Sequence, residues 1–199
     1  AHQIKNKENF KQLDKILQFS KNLPNIKLSL ANSGGIMLGS KFCLDQTRPG
    51  IGLFGIDNFG NNIELNSRSL KLPLSLHGPV IQLRDVDIGE KVSYGGVDIT
   101  KRKSKLATIG IGYADGWLRL LKPNSSFVIM KKKCRIIGNV TMDSFVLDVT
   151  DLKEKLLKEG DYLCLLDNTN IKNIVTKLDI ISYELLTIMG NRLLRKYNS

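Results

Sequence analysis

The spacing of apolar residues changes character part-way along the chain. In residues 6–21, NKENFKQLDKILQFSK, the residues Phe10, Leu13, Ile16 and Leu17 recur every three or four positions. That spacing predicts a helix with one apolar face. Residues 25–30 read as a short strand, and Ile36-Met37-Leu38-Gly39 as a short helix after the turn ANSGG. RPGIGLFG, residues 48–55, reads as a further strand. Helix and strand thus alternate over residues 1–72, the signature of parallel βα units. From residue 73 the rhythm shortens. GPVIQLRD, KVSYGG, KLATIGIGY, SFVIMKKKCRIIG, SFVLDVT and DYLCLL are apolar runs separated by Gly, Asn, Asp and Lys. They predict an antiparallel sandwich or barrel. The last stretch, LDIISYELLTIMGNRLLRKY, is apolar at helical spacing. Asp179 or Ser182 could cap that helix, and Arg192, Arg195 and Lys196 suit its C-terminal end. The expected fold is α/β followed by β, divided at 72/73.

Composition narrows the function classes. The chain has 199 residues, 42% hydrophobic and 25% charged, an ordinary globular balance. No apolar run is long enough for a spanning helix, so no membrane partner is expected. The three cysteines, Cys43, Cys134 and Cys164, have no metal-type spacing, so no metal is expected. An odd set of free thiols suits a reducing cytoplasm. The net charge of +11 raises the question of nucleic acid. Yet the basic clusters, Lys101-Arg102-Lys103 with Lys105 and Lys131-Lys132-Lys133, are short and lack interleaved aromatics. They read as solvated hairpin tips, and no nucleic-acid partner is expected. The chain opens Ala-His-Gln-Ile, without a methionine. Two or three βα units cannot close a barrel by themselves. Both features fit a part of a longer protein.

Four short stretches could carry chemistry. Asn32-Ser33-Gly34-Gly35 lies between a strand and a helix, where amides and a hydroxyl can cradle a phosphate; an ordinary turn fits equally. Arg48, in Thr47-Arg48-Pro49-Gly50-Ile51, sits at the start of an apolar run and needs an acceptor, either structural or on a ligand. Tyr113 ends the run TIGIGY beside the turn Ala114-Asp115-Gly116. It is either a packing residue or a reagent, and a phenol of pKa ~10 makes a poor base without help. Met142 and Asp143 lie where one strand gives way to the next, the places of a core methionine and a turn-capping carboxylate.

Taken together and in order, LANSGG, RPGIGLFG, VSYGG, IGYADG, GNVTMDSFVLDVTD and ISYELL resemble the alanine racemase family. The resemblance covers the whole chain but only about the C-terminal half of the family's usual length. It implies the C-terminal part of a (β/α)8 TIM barrel over 1–72 and a mostly antiparallel β domain over 73–199. It implies pyridoxal 5'-phosphate as cofactor and interconversion of L- and D-alanine, supplying D-alanine for peptidoglycan in the cytoplasm. Tyr113 matches one of two catalytic bases. The other, a lysine that also holds the cofactor, belongs to a segment absent from this sequence, so the chain alone is expected to be inactive. Met142 matches a backbone contact to the substrate carboxylate, with Asp143 shaping its turn. Ser33, Gly50, Ile51 and Tyr183 match phosphate ligands. Arg48 matches the arginine that faces the pyridine nitrogen. The family's head-to-tail homodimer implies shared active sites. Phe54 stands where the family often has Tyr, Trp117-Leu118 where it often has an aromatic followed by Pro, and TMDS where CMDQ is more common. A pyridoxal-phosphate racemase for another amino acid, or a non-catalytic β domain that binds an anion, are the alternatives.

Overall fold

The computed structural model describes residues 5–23, 25–56, 70–117, 119–121, 126–129, 132–152, 157–178 and 180–197. The chain divides into two compact units, Ala1–Leu74 and Ser75–Ser199.

In the first unit, helix α1 spans Lys7–Ser20. Asn6 caps it, its side chain accepting from the Glu8 amide at 2.9 Å. Of the four apolar residues that predict this helix, Leu13 is buried and Ile16 half-buried, whereas Phe10 and Leu17 are exposed. Phe10 packs edge-on against the buried Phe42, ring centroids 5.4 Å apart. Strand β1 (Ser29–Asn32) runs directly into helix α2 (Ser33–Met37) and pairs in parallel with β2 (Gln46–Arg48). Leu13, Ala31 and Phe42 form this unit's buried core. RPGIGLFG is not a strand. β2 stops at Arg48 because Pro49 has no N–H for the ladder. Ile51–Phe54 then make a single 3-10 turn that ends at Gly55 with φ 71°.

The second unit is built on a six-stranded antiparallel sheet. Its strands are β3 (Leu76–Val86), β6 (Ser104–Ile109), β7 (Ser126–Ile129), β8 (Lys132–Ile137), β9 (Phe145–Asp148) and β10 (Tyr162–Leu166). Their order is β10-β3-β6-β9-β8-β7, and the two edge strands approach each other, so the sheet curls into a barrel-like form. Two short strands, β4 (Lys91–Val92) and β5 (Asp98–Ile99), pair beside it, and the second half of KVSYGG is a 3-10 turn, Tyr94–Gly96. Leu106, Ile109, Ile136, Ile137, Phe145, Leu147 and Leu165 fill the core. β6 lies between β3 and β9, with Leu106, Ala107 and Ile109 buried. In the basic turn before β6, Arg102 forks onto Asp151 with bonds of 3.0 and 2.8 Å.

The long terminal helix predicted over residues 178–197 is short, and a further helix that the sequence reading did not identify precedes it. α3 spans Ile171–Leu178 and α4 spans Ser182–Thr187. Ser182 is the first helical residue, preceded by Ile181 without a side-chain cap; Asp179 lies outside the described residues. The helix stops before Arg192, Arg195 and Lys196, so these do not serve its end. Tertiary contacts take over there: the Gly190 amide donates to the Asp115 carbonyl at 3.1 Å.

Candidate active site

Two groups of residues emerge, one in each unit. In the first, the Ser33 hydroxyl begins α2, buried, where the Gly50 and Gly52 amides converge on it at 2.8 and 3.0 Å. These two donors occupy both lone pairs of the oxygen, so its own hydrogen is what Ser33 can offer outward. Asn32 caps the helix through the Gly35 amide at 2.9 Å. A Cβ on residue 52 would lie 3.3 Å from both Cβ and Oγ of Ser33, so glycine keeps this approach open. Gly50 is exposed and Ile51 buried. Arg48 is exposed at the end of β2, not half-buried at the start of a strand. Its Nη1 donates to the carbonyl and hydroxyl of Ser29 at 2.8 and 2.6 Å, and its Nη2 to the Leu30 carbonyl at 3.2 Å. Two backbone carbonyls and a hydroxyl, all neutral, thus fix the guanidinium without cancelling its charge.

Ser33→Ala removes an acceptor shared by two amides. The expected cost is about 1–3 kcal/mol to the first unit. It should appear as a lower denaturation midpoint for Ser33→Ala than for wild type in the full-length protein.

In the second unit, β6 ends at Ile109 rather than running on to the tyrosine, and Tyr113–Asp115 form a 3-10 turn. Asp115 closes that turn reciprocally. Its Oδ2 accepts from the Gly112 amide at 2.9 Å, and its own amide donates to the Gly112 carbonyl at 3.1 Å. The turn is stitched to the segment between β8 and β9. The Tyr113 amide donates to the Thr141 carbonyl and the Ala114 amide to the Met142 carbonyl, both at 3.0 Å. Met142 is half-exposed and engaged through its backbone. Trp117 anchors the far end of the turn between Phe127 and Phe145, with centroids at 5.7 and 6.0 Å. Its buried indole N–H has no acceptor among the described residues; packing holds the ring, and the Trp117 amide donates to the Gly112 carbonyl at 3.1 Å. Tyr113 is 43% exposed, and the Arg119 guanidinium lies 6.0 Å from its ring centroid. The phenol is presented rather than packed away.

Asp143 does not cap its own turn. Thr141 closes it, with amide and hydroxyl both donating to the Ser144 carbonyl at 2.8 Å. The Asp143 carboxylate instead accepts from Arg192 Nη2 at 2.7 Å, while Arg192 Nε lies 3.3 Å from Asp115 Oδ1. The hydrogen bond to Asp143, followed by the charge of Asp115, raises the Arg192 pKa above its ordinary value. The sequence reading assigned Arg192 to a helix end. Its available signal was the unanswered carboxylate in each of the two motif turns. Tyr183 lies on α4, its carbonyl accepting from the Thr187 hydroxyl.

A parallel βα unit carrying a hydroxyl–amide cradle, with a barrel-like β unit presenting a tyrosine, defines a recognisable class. Residues 73–197 match the family description "Alanine racemase, C-terminal domain", and residues 1–58 match "Alanine racemase, N-terminal domain". The alanine racemase of Brucella canis is 40% identical over 96% of this chain and 51% of its own length. The crystal structure of alanine racemase from Bartonella henselae, with covalently bound pyridoxal phosphate, superposes with a TM-score of 0.87 at 38% identity. That match covers 99% of this chain and 54% of the other. Alanine racemase from Clostridium difficile, in complex with cycloserine, has a TM-score of 0.85 at 25% identity, covering 96% of this chain and 52% of its own. The chain belongs to the alanine racemase family. It spans about half the length of these relatives.

Proposed function

We propose that this chain is the C-terminal part of a pyridoxal-phosphate-dependent alanine racemase that supplies D-alanine for peptidoglycan. The observation that carries the reading is the Tyr113 turn. Hydrogen bonds and close packing fix its backbone while the phenol stays half-exposed. Racemisation removes the α-proton from one face of the substrate and returns a proton to the other, so two bases on opposite faces serve it directly. Tyr113 is one. The resemblance places the other, the cofactor lysine, in the N-terminal half.

The donor set fits the cofactor. The Ser33 hydroxyl hydrogen, directed outward because the Gly50 and Gly52 amides fill the oxygen's lone pairs, and the Ile51 backbone amide suit a phosphate dianion. Residues 1–72 would hold that phosphate, and residues 73–199 would present the base. Pyridoxal phosphate, when bound, supplies the electron sink for the charge left on the α-carbon. Arg48 is a fixed cation that can donate but not accept. Facing a ring nitrogen, it would disfavour protonation there and moderate the sink, limiting side reactions. The Met142 backbone would orient the substrate carboxylate.

D-alanine formation from L-alanine by the full-length protein with pyridoxal phosphate tests the reading. Formation is expected, and its absence overturns it. Residues 1–199 alone should be inactive. In the homodimer, Tyr113 and Met142 would serve the partner's site. A mixed dimer of a Tyr113→Phe chain and a chain lacking the cofactor lysine should therefore regain one working site. No regained activity there would exclude sharing.

A further inference from the structure

We propose that Arg192 is a positioning residue for Tyr113, clamping the tyrosine turn to the Met142 turn. Its fork reaches one carboxylate in each turn: Nε faces Asp115 Oδ1 at 3.3 Å, and Nη2 donates to Asp143 Oδ1 at 2.7 Å. Asp115 is the link to the tyrosine. Its other oxygen holds the Gly112 amide at 2.9 Å, so what Arg192 fixes is the carboxylate that closes the 3-10 turn Tyr113–Asp115. The segment that carries Arg192 is pinned to the same turn, since the Gly190 amide donates to the Asp115 carbonyl at 3.1 Å. The two carboxylates repel each other, and one guanidinium answers both.

The two ion pairs differ in weight. Asp143 and Arg192 are 61% and 54% exposed at their side chains, so that pair is well screened. The Asp115 side chain is 11% exposed and its pair is screened less. Removing Arg192 leaves a nearly buried carboxylate without its cation, inside the turn that carries the phenol. The backbone bonds from Tyr113 and Ala114 still hold the two turns in register. The fold therefore survives, while the orientation of the phenol loosens. A displacement of order 1 Å at a reacting group can cost roughly 100-fold in rate.

This inference rests on the reading of Tyr113 as a base, and its test separates the two. In the full-length enzyme with pyridoxal phosphate, Arg192→Ala should lower kcat about 10- to 100-fold with little change in KM. L- and D-alanine have equal free energies, so kcat/KM must fall equally in both directions. The α-deuterium isotope effect is not bound by that equality, and it should rise in one direction only. Amide exchange at Gly112, Tyr113 and Ala114 should quicken, with the rest of the β unit unchanged. Arg192→Lys keeps the charge but has one nitrogen for two carboxylates, so it should recover neither the exchange protection nor most of kcat. Unchanged amide exchange in Arg192→Ala, equal isotope effects in both directions, or full recovery by Arg192→Lys would overturn the clamp. If Arg192→Ala folds poorly, Arg192→Gln is read by the same criteria. If wild type makes no D-alanine, the racemase reading fails. The exchange measurement then decides the clamp alone, faster exchange supporting it and unchanged exchange overturning it.

Discussion

Replacing Tyr113 by Phe in the full-length enzyme should lower kcat for alanine racemisation by ~10²–10⁴-fold, the range for losing a positioned general base. The substitution removes one oxygen. The ring remains, so the contact with Arg119 and the packing around Trp117 persist. The turn also persists, because its bonds to Thr141 and Met142 come from backbone amides. Stability should therefore change by no more than about 0.5 kcal/mol, as at an exposed position. Steady-state kinetics beside a denaturation curve checks both halves. A Phe variant that keeps wild-type kcat returns Tyr113 to the role of a packing residue.

Gly112→Ala should strongly destabilise the second unit. The φ of Gly112 is −138°, which any residue adopts, so backbone preference is not the reason for glycine. The reason is contact. A Cβ there would lie 2.2 Å from the Met142 carbonyl oxygen and 2.4 Å from that of Thr141. These are backbone atoms and cannot swing aside. The two turns must separate, and the bonds from Tyr113 and Ala114 stretch or break. Overpacking costs roughly 1–3 kcal/mol, and two hydrogen bonds add about 1 kcal/mol each. The sum, roughly 3–5 kcal/mol, is a large part of an ordinary domain's 5–15 kcal/mol. Gly89→Ala is the control. Gly89 has φ 90° but nothing within 4 Å of a Cβ, so only conformational strain of about 1–2 kcal/mol applies. Urea denaturation of both variants should place Gly112→Ala well below Gly89→Ala. The reverse order would mean that the two turns are not in close contact.

Much of this was legible in the sequence, because it depends on near neighbours. The apolar spacing of residues 6–21 found α1, and the shortened rhythm after residue 73 found the antiparallel sheet. The turn residues of ANSGG marked where β1 stops, whereas β6 stops at Ile109, ahead of the YADG turn. The misreadings share a cause. RPGIGLFG has the composition of a strand, but Pro49 removes a ladder donor, and the Gly50 and Gly52 amides turn to Ser33 instead. The terminal apolar run has helical spacing throughout, yet its last residues leave the helix to bind Asp115 and Asp143. Local pattern measures what a segment prefers, and distant partners overrode that preference in both places.

The sequence by itself determined the division into α/β and β parts, the order of the motifs and the residue types available for chemistry. Periodicity, turn chemistry and motif spacing are properties of a few adjacent residues. Only the tertiary structure decided which groups meet across the chain. It joined Ser33 to Gly50 and Gly52, Tyr113 to Thr141, and Arg192 to both Asp115 and Asp143. Those partners lie 17 to 77 positions apart, as their residue numbers show, and the packing of a folded core brought them together. How far Tyr113 is exposed was decided the same way. The stretch TIGIGYADG is compatible with a packed or an exposed tyrosine; in the fold Trp117 is buried against Phe127 and Phe145 while Tyr113 is 43% exposed.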